Sequence, residues 1–309
     1  MSNEENQATQ AEPTNDPTNE PEDTPHDLFT LAEQLEEQLP EDQLLEIIKA
    51  IRFYIGRNVQ EIPLAEFIES NLDTKLITLL QENYRHLGEV QFEILWAFTN
   101  IFYEADEDII LDFHEKGLTK NLNHLLVIPL NTEILESALC ILGNYSGTSL
   151  ELRDILLESL DIEEFVRKGI SGYSSSKDTC VSAALFLSNC LRGPPHPSFE
   201  QRTLFLGFLR QIVEVYPEDG DIESQVLWAC LYFIQADDKL DERSLILAKD
   251  SLWRDYIKEK FLRSQDNSIL TIVGKLLARF SSMDLEPSLL FFDHEILQVK
   301  NPKNSKIEK

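Results

Sequence analysis

Trp96 and Asn100 stand four residues apart in the stretch QFEILWAFTNIF that begins at Gln91, and Trp228 and Tyr232 repeat that spacing in ESQVLWACLYFI from Glu223. A separation of four puts both side chains of a pair on one face of a helix. A carboxamide carries two donors and an acceptor, which suits it to gripping the backbone of an extended peptide that has no secondary structure of its own. An indole face beside it forms a slot for the aliphatic stem of Lys or Arg, with a cation–π attraction on the order of 0.5–2 kcal/mol, and nearby carboxylates would take the charged tip. The chemistry these residues suggest is recognition of a chain. For any single pair ordinary helix packing is the better account, and only recurrence points to a ligand.

Recurrence is present. ESALCILGNYSG from Glu136, CVSAALFLSNCLRG from Cys180 and SILTIVGKLLARF from Ser268 align with the first two segments, and the polar residue at the same phase is in turn Asn100, Asn144, Asn189, Tyr232 and Lys275. The intervals are 44, 45, 43 and 43 residues. A period near 40 built from apolar helical runs indicates stacked helical units that share one continuous core. Each interval holds two further helical runs, as in Glu107 to Phe113 and Leu118 to Val127, which makes the unit a three-helix repeat of armadillo length. A weaker unit precedes them from about Leu44 to Tyr84. The expected fold is therefore all-α, an armadillo-repeat right-handed superhelical solenoid of about five to six three-helix repeats. The five phased residues are expected on the exposed side of third helices, as a ladder along one concave groove.

The elements around this ladder follow from composition. Residues 1–26 contain almost no large apolar side chain and read as a disordered acidic tail. Helical spacing of Leu, Ile and Val begins at Leu28 and defines the solenoid over 27–295, and 296–309 is a Lys-rich segment expected to fray. Glycines such as Gly117, Gly147, Gly169, Gly172 and Gly220 fall mostly between the periodic runs. The apolar run with Leu285, Leu289, Leu290, Phe291 and Phe292 has the character of a cap's inner face or a partner site.

With 55 acids against 27 bases the formal charge is −28, so the averaged field favours basic proteins or peptides as partners and disfavours nucleic acid and anionic membrane. No apolar run reaches the roughly 20 residues that a membrane-spanning helix needs. Cys140, Cys180, Cys190 and Cys230 form no CxxC pair and lie in apolar helical runs, which fits a reducing compartment, cytoplasm and nucleus. Ser174 and Lys177 have the spacing of a Ser-x-x-Lys nucleophile, but they sit in a polar Gly-Tyr-Ser loop without partner motifs. The six histidines lack metal-ligand spacing, and no Gly-rich phosphate loop follows a strand. No cofactor, no metal and no enzymatic activity are expected.

The alternation of Trp, Asn and small residues resembles the armadillo repeats of the importin-α family. The most specific stretch is LSNCLRGPPHPSFE from Leu187 to Glu200, and QFEILWAFTNI, LGNYSGTSLELRD and the Trp228–Tyr232 pair add to it over roughly residues 44–290. The resemblance implies an adaptor that binds nuclear localisation signals in its groove, with Trp96, Asn100, Asn144, Asn189, Trp228 and Tyr232 as the peptide-binding residues. It also locates departures. Cys140 and Leu185 stand where the family has Trp, Thr148 where it has the Asp that pairs with the key Lys, and Gln225 where it has an acid. Glu104-Ala105 replaces a Gly-Thr turn, and Thr271 and Lys275 replace Arg and Asn, Lys275 with a charge that repels a cationic ligand. The family's basic N-terminal arm recruits importin-β, whereas the first 48 residues here hold no Lys or Arg, so importin-β is not expected as a partner by that route. The alternatives are an acidic scaffold or chaperone for a basic protein without receptor activity, and a regulatory subunit that uses its convex surface.

Overall fold

The computed structural model describes residues 27–35, 38–57, 62–127, 131–168, 176–235 and 246–282. The expected tails at 1–26 and 296–309, the run from Leu285 to Phe292, and Ser174 lie outside the described residues. The chain divides into two compact units, one through Cys190 and one from Leu191. Among the described residues every regular element is helical.

The first unit contains α1 (Leu28–Gln34), α2 (Glu41–Arg57), α3 (Leu64–Glu69), α4 (Leu72–Leu79), α5 (Gly88–Glu104), α6 (Glu107–Glu115), α7 (Leu118–Val127), α8 (Thr132–Thr148), α9 (Leu150–Ser159), α10 (Ile162–Lys168) and α11 (Lys177–Leu191). Two shorter helices precede a long one in α3, α4 and α5, in α6, α7 and α8, and in α9, α10 and α11. Local chemistry sets the boundaries. The carboxylate of Asp106 accepts from the Ile109 amide at 3.0 Å, the Asn131 side chain from Ile134 at 2.8 Å, and the Ser149 hydroxyl from Leu152 at 3.1 Å, so each starts a helix by satisfying an orphan donor. Gly117, at φ +96°, makes the left-handed turn that separates α6 from α7.

The long third helices are sandwiched. α2 packs on α5 and α5 on α8, while the glycines of α8 lie against side chains of α11. For this reason α5 is buried on several faces at once, through Val90, Ile94, Leu95, Phe98, Ile101 and Phe102. Phe113 of α6 ties the layers together: its ring meets Phe98 edge-on at 5.3 Å, Phe102 edge-on at 5.4 Å and Phe67 of α3 stacked at 6.4 Å.

Polar bridges repeat with the period of the fold. Asn121 donates to the Ile77 carbonyl at 2.8 Å, Ser149 to Glu107 at 2.9 Å, and Lys75 to the Ala32 and Leu35 carbonyls at 2.6 and 3.0 Å. Lys116 bridges to buried Asp73. Each partner lies about one repeat away in the chain, so these bonds pin the register between neighbouring repeats.

The second unit contains α12 (Phe199–Val215), α13 (Gly220–Gln235), α14 (Ser251–Arg263) and α15 (Asn267–Ser281). α12 opens with a capping box between Ser198 and Gln201. α13 and α15 pack side by side, again one repeat apart. Lys260 of α14 donates to the Pro217 carbonyl at 2.8 Å and pairs with Glu223 of α13.

Candidate functional site

In the first unit, α5, α8 and α11 each carry one of the phased asparagines, and their stacking aligns Asn100, Asn144 and Asn189 as a row across consecutive third helices. The row is not on the exposed side. Asn100 is 5% exposed, Asn144 1% and Asn189 2%. The sandwich explains the difference: a third helix has a third helix on either side, so a residue at this phase is covered by its neighbours as well as by its own turn.

Burial leaves these carboxamides poorly satisfied. The Asn189 Nδ2 donates to the Gly143 carbonyl of α8 at 2.9 Å. Oδ1 of Asn100, both polar atoms of Asn144 and Oδ1 of Asn189 are buried with no hydrogen-bond partner among the described residues. A buried unpaired polar group typically costs about 1–3 kcal/mol, and three at one phase of successive repeats is an arrangement that packing alone does not favour.

The residues one turn before these asparagines differ from repeat to repeat. Trp96 is half-buried and tilted against Phe92, ring centroids 5.7 Å apart, and the Arg52 guanidinium of α2 lies 3.9 Å from the centre of its ring. Arg52 is also 4.3 Å from the Phe53 ring and is ion-paired with Glu93 on the turn before Trp96. Cys140 makes a 3.1 Å contact with the Ser182 hydroxyl of α11. Leu185 is buried against α8, where a Cβ added at Gly143 would meet its Cδ2 at 3.1 Å. Gly147, one turn further, leaves equivalent room for Asn189, whose Nδ2 lies 3.0 Å from where a Cβ would stand. Of the three positions in this unit only Trp96 presents an aromatic face, and Arg52 covers it.

Arg52 and Glu93 escape motif reading, but a signal for Arg52 exists. Stepping back 44 residues from Trp96, the interval that also separates Trp96 from Cys140, arrives at Arg52. Arg52 therefore holds the tryptophan phase of the preceding repeat.

In the second unit Trp228 and Tyr232 project together as the spacing predicts, stacked at 5.5 Å with a 22° interplanar angle. The Lys275 ammonium lies 5.2 Å from the Trp228 ring centre. Burial raises the Tyr232 hydroxyl above its usual range, with nearby Arg192 acting in the opposite sense. Thr148, where the resemblance expects an Asp, turns its hydroxyl back to the Asn144 carbonyl at 3.0 Å.

Glu136, one helical turn before Cys140, is pushed up to about 7 by burial first, then by Asp178 and Glu133. All four cysteines are free thiols, and burial pushes Cys180 up to about 11 and raises Cys140, Cys190 and Cys230, which disfavours thiolate chemistry. Among the described residues no group of three or more His, Cys, Asp or Glu could hold a metal ion. None of the described helices is long and apolar enough to cross a membrane.

The stacked three-helix repeats define an armadillo-repeat protein. Solved structures agree on the fold: an engineered protein superposes with a TM-score of 0.66 at 18% identity, covering 84% of this chain and all of the other. A designed armadillo-repeat protein gives 0.65 at 17% identity over 82% of this chain and 99% of its own. Another, solved in complex with the peptide (KR)4, gives 0.61 at 18% identity over 82% of this chain and all of its own.

In sequence the chain is importin-α-like. It is 29% identical over 171 residues to importin subunit alpha-1b of Oryza sativa subsp. japonica, a stretch covering 55% of this chain and 30% of that protein. With importin subunit alpha-2 of Caenorhabditis elegans the identity is 27% over 215 residues, 68% of this chain and 38% of the other. The chain thus spans about a third of the length of these curated relatives. No family model matches it.

Proposed function

We propose that this protein is an importin-α-like adaptor that binds basic, extended segments of the nuclear-localisation type along its third helices and serves protein import into the nucleus. The row Asn100, Asn144 and Asn189 of the first unit grips the ligand's backbone, with Trp96 one turn before Asn100 at the same phase; the second unit carries its own aromatic pair in Trp228 and Tyr232. The observation that carries this reading is the set of buried carboxamide atoms, at one phase of three successive repeats, that have no hydrogen-bond partner among the described residues. A peptide drawn into register, with local side-chain rearrangement, would offer those atoms the donors and acceptors that the protein does not. The charge of −28 selects for basic ligands, and Glu136 of α8, one turn before Cys140, adds a carboxyl group whose ionisation a ligand cation would favour.

Calorimetric titration with a Lys-rich nuclear-signal peptide tests this directly. One-to-one saturable binding that the Asn100→Ala/Asn144→Ala variant loses is the expected result. Binding that the variant retains, or no binding, overturns the reading. A second reading, an acidic armadillo scaffold for a basic protein without transport activity, is favoured by Cys140 and Leu185 in place of aromatic slots. It predicts affinity that falls steeply with salt and is indifferent to the asparagines.

A further inference from the structure

We infer that Arg52 is a built-in occupant of the Trp96 slot, a tethered side chain that stands where a ligand's Lys or Arg stem would lie and so sets the specificity of this end of the row. The inference rests on the peptide-binding reading above and goes beyond it.

Three observations converge on Arg52. Its guanidinium lies 3.9 Å from the Trp96 ring centre, within the range of a cation–π contact and close enough to exclude a second cation from that face. It is 9% exposed and ion-paired with Glu93, itself 7% exposed, so the group is clamped rather than swinging in solvent. It also sits 44 residues before Trp96, at the tryptophan phase of its own repeat, so the stacking of α2 on α5 delivers it to the indole.

The second unit offers a parallel in Lys275, whose ammonium lies 5.2 Å from the Trp228 ring centre. In both cases a cation of this chain, on the third helix one repeat away, occupies the aromatic face. Glu93 completes the imitation at Trp96, because it is the carboxylate that a bound cation's tip would otherwise meet.

A consequence separates this from ordinary packing. Removing a groove residue normally weakens binding, whereas removing Arg52 should strengthen binding of a basic ligand by exposing an indole face beside an unpaired carboxylate. The test titrates an eight-residue peptide of alternating Lys and Arg, by fluorescence anisotropy, against wild type, Arg52→Ala, Arg52→Ala/Trp96→Ala and Asn144→Ala at one ionic strength. Arg52→Ala is expected to bind about tenfold tighter than wild type, with the gain abolished in the double variant. Arg52→Ala leaves Glu93 buried without its partner, so Arg52→Ala/Glu93→Gln, checked for folding by circular dichroism, is measured alongside. It frees the ring with no stranded charge and should still bind a few-fold tighter. If both variants bind no tighter than wild type while Asn144→Ala binds more weakly, the Arg52 inference is wrong and the groove reading stands. If the peptide binds all variants alike, the groove reading itself fails and takes the inference with it.

Discussion

Replacing Asn144 by Leu should make the protein more stable and less able to bind a peptide. Both polar atoms of this side chain are buried with no hydrogen-bond partner among the described residues, and the residue is 1% exposed on a helix packed between α5 and α11. An unsatisfied buried amide costs about 1–3 kcal/mol, and an apolar group of similar shape removes that term while keeping the contacts. The local backbone is unaffected, because the nearby Thr148 hydroxyl bonds the Asn144 carbonyl and not its side chain. A gain of about 1–3 kcal/mol follows. Asn189→Leu is the internal control: it forfeits the 2.9 Å bond to the Gly143 carbonyl and forces a branched side chain against Gly147, so its net effect should be near zero or destabilising. Urea unfolding, followed by circular dichroism at matched protein concentrations, measures both, and an unchanged m-value shows that the midpoint shift reports stability. Should Asn144→Leu lose more than about 1 kcal/mol, its carboxamide has an internal structural role, and the inference from its unpaired atoms to an outside ligand collapses.

Other consequences are equally open to measurement. Gly207 and Gly274 lie inside helices with nothing within 4 Å of an added Cβ, so Gly207→Ala and Gly274→Ala should each stabilise by about 0.5–1 kcal/mol in the same assay; Gly147→Ala, whose Cβ would crowd Asn189, should lack that gain. Burial pushes the Glu136 carboxyl up to about 7 from its ordinary 4.5, so folding favours its protonated state: its contribution is fully present below about pH 4.5 and is lost as pH rises through about 7. After allowance for solvent screening of this partly exposed group, Glu136→Gln should remove a pH-dependent loss of about 1–2 kcal/mol, seen by comparing unfolding midpoints at pH 5 and pH 8. Lys260→Met strands Glu223 and should destabilise the second unit by about 3 kcal/mol, whereas Lys260→Met/Glu223→Leu should recover most of it, as thermal melts of the two variants would show.

Much of this arrangement is legible in the residues alone. The 44- and 45-residue intervals between Asn100, Asn144 and Asn189 announce stacked repeats, and the structure places all three on consecutive third helices. Their burial is not legible, because helical periodicity distinguishes the faces of one helix and is silent about which of those faces a neighbouring helix covers. Arg52 illustrates a different limit. Its position in the period is visible, but that its side chain reaches across to Trp96 depends on how α2 and α5 pack. Likewise Gly147 reads as punctuation in sequence, whereas it lies inside α8, where Gly143 and Gly147 are the hollows that receive Leu185 and Asn189.

The most direct test of the backbone grip is to change a ligand's backbone and leave its charges alone. The Lys/Arg octapeptide and the same peptide N-methylated at alternate residues carry equal charge, but the methylated form lacks half of the amide donors that the asparagines would receive. Calorimetry of both against the wild-type protein should show the methylated peptide binding at least tenfold more weakly. Equal affinity for the two peptides would mean that the protein holds basic chains by its field alone, and that Asn100, Asn144 and Asn189 do not grip a ligand.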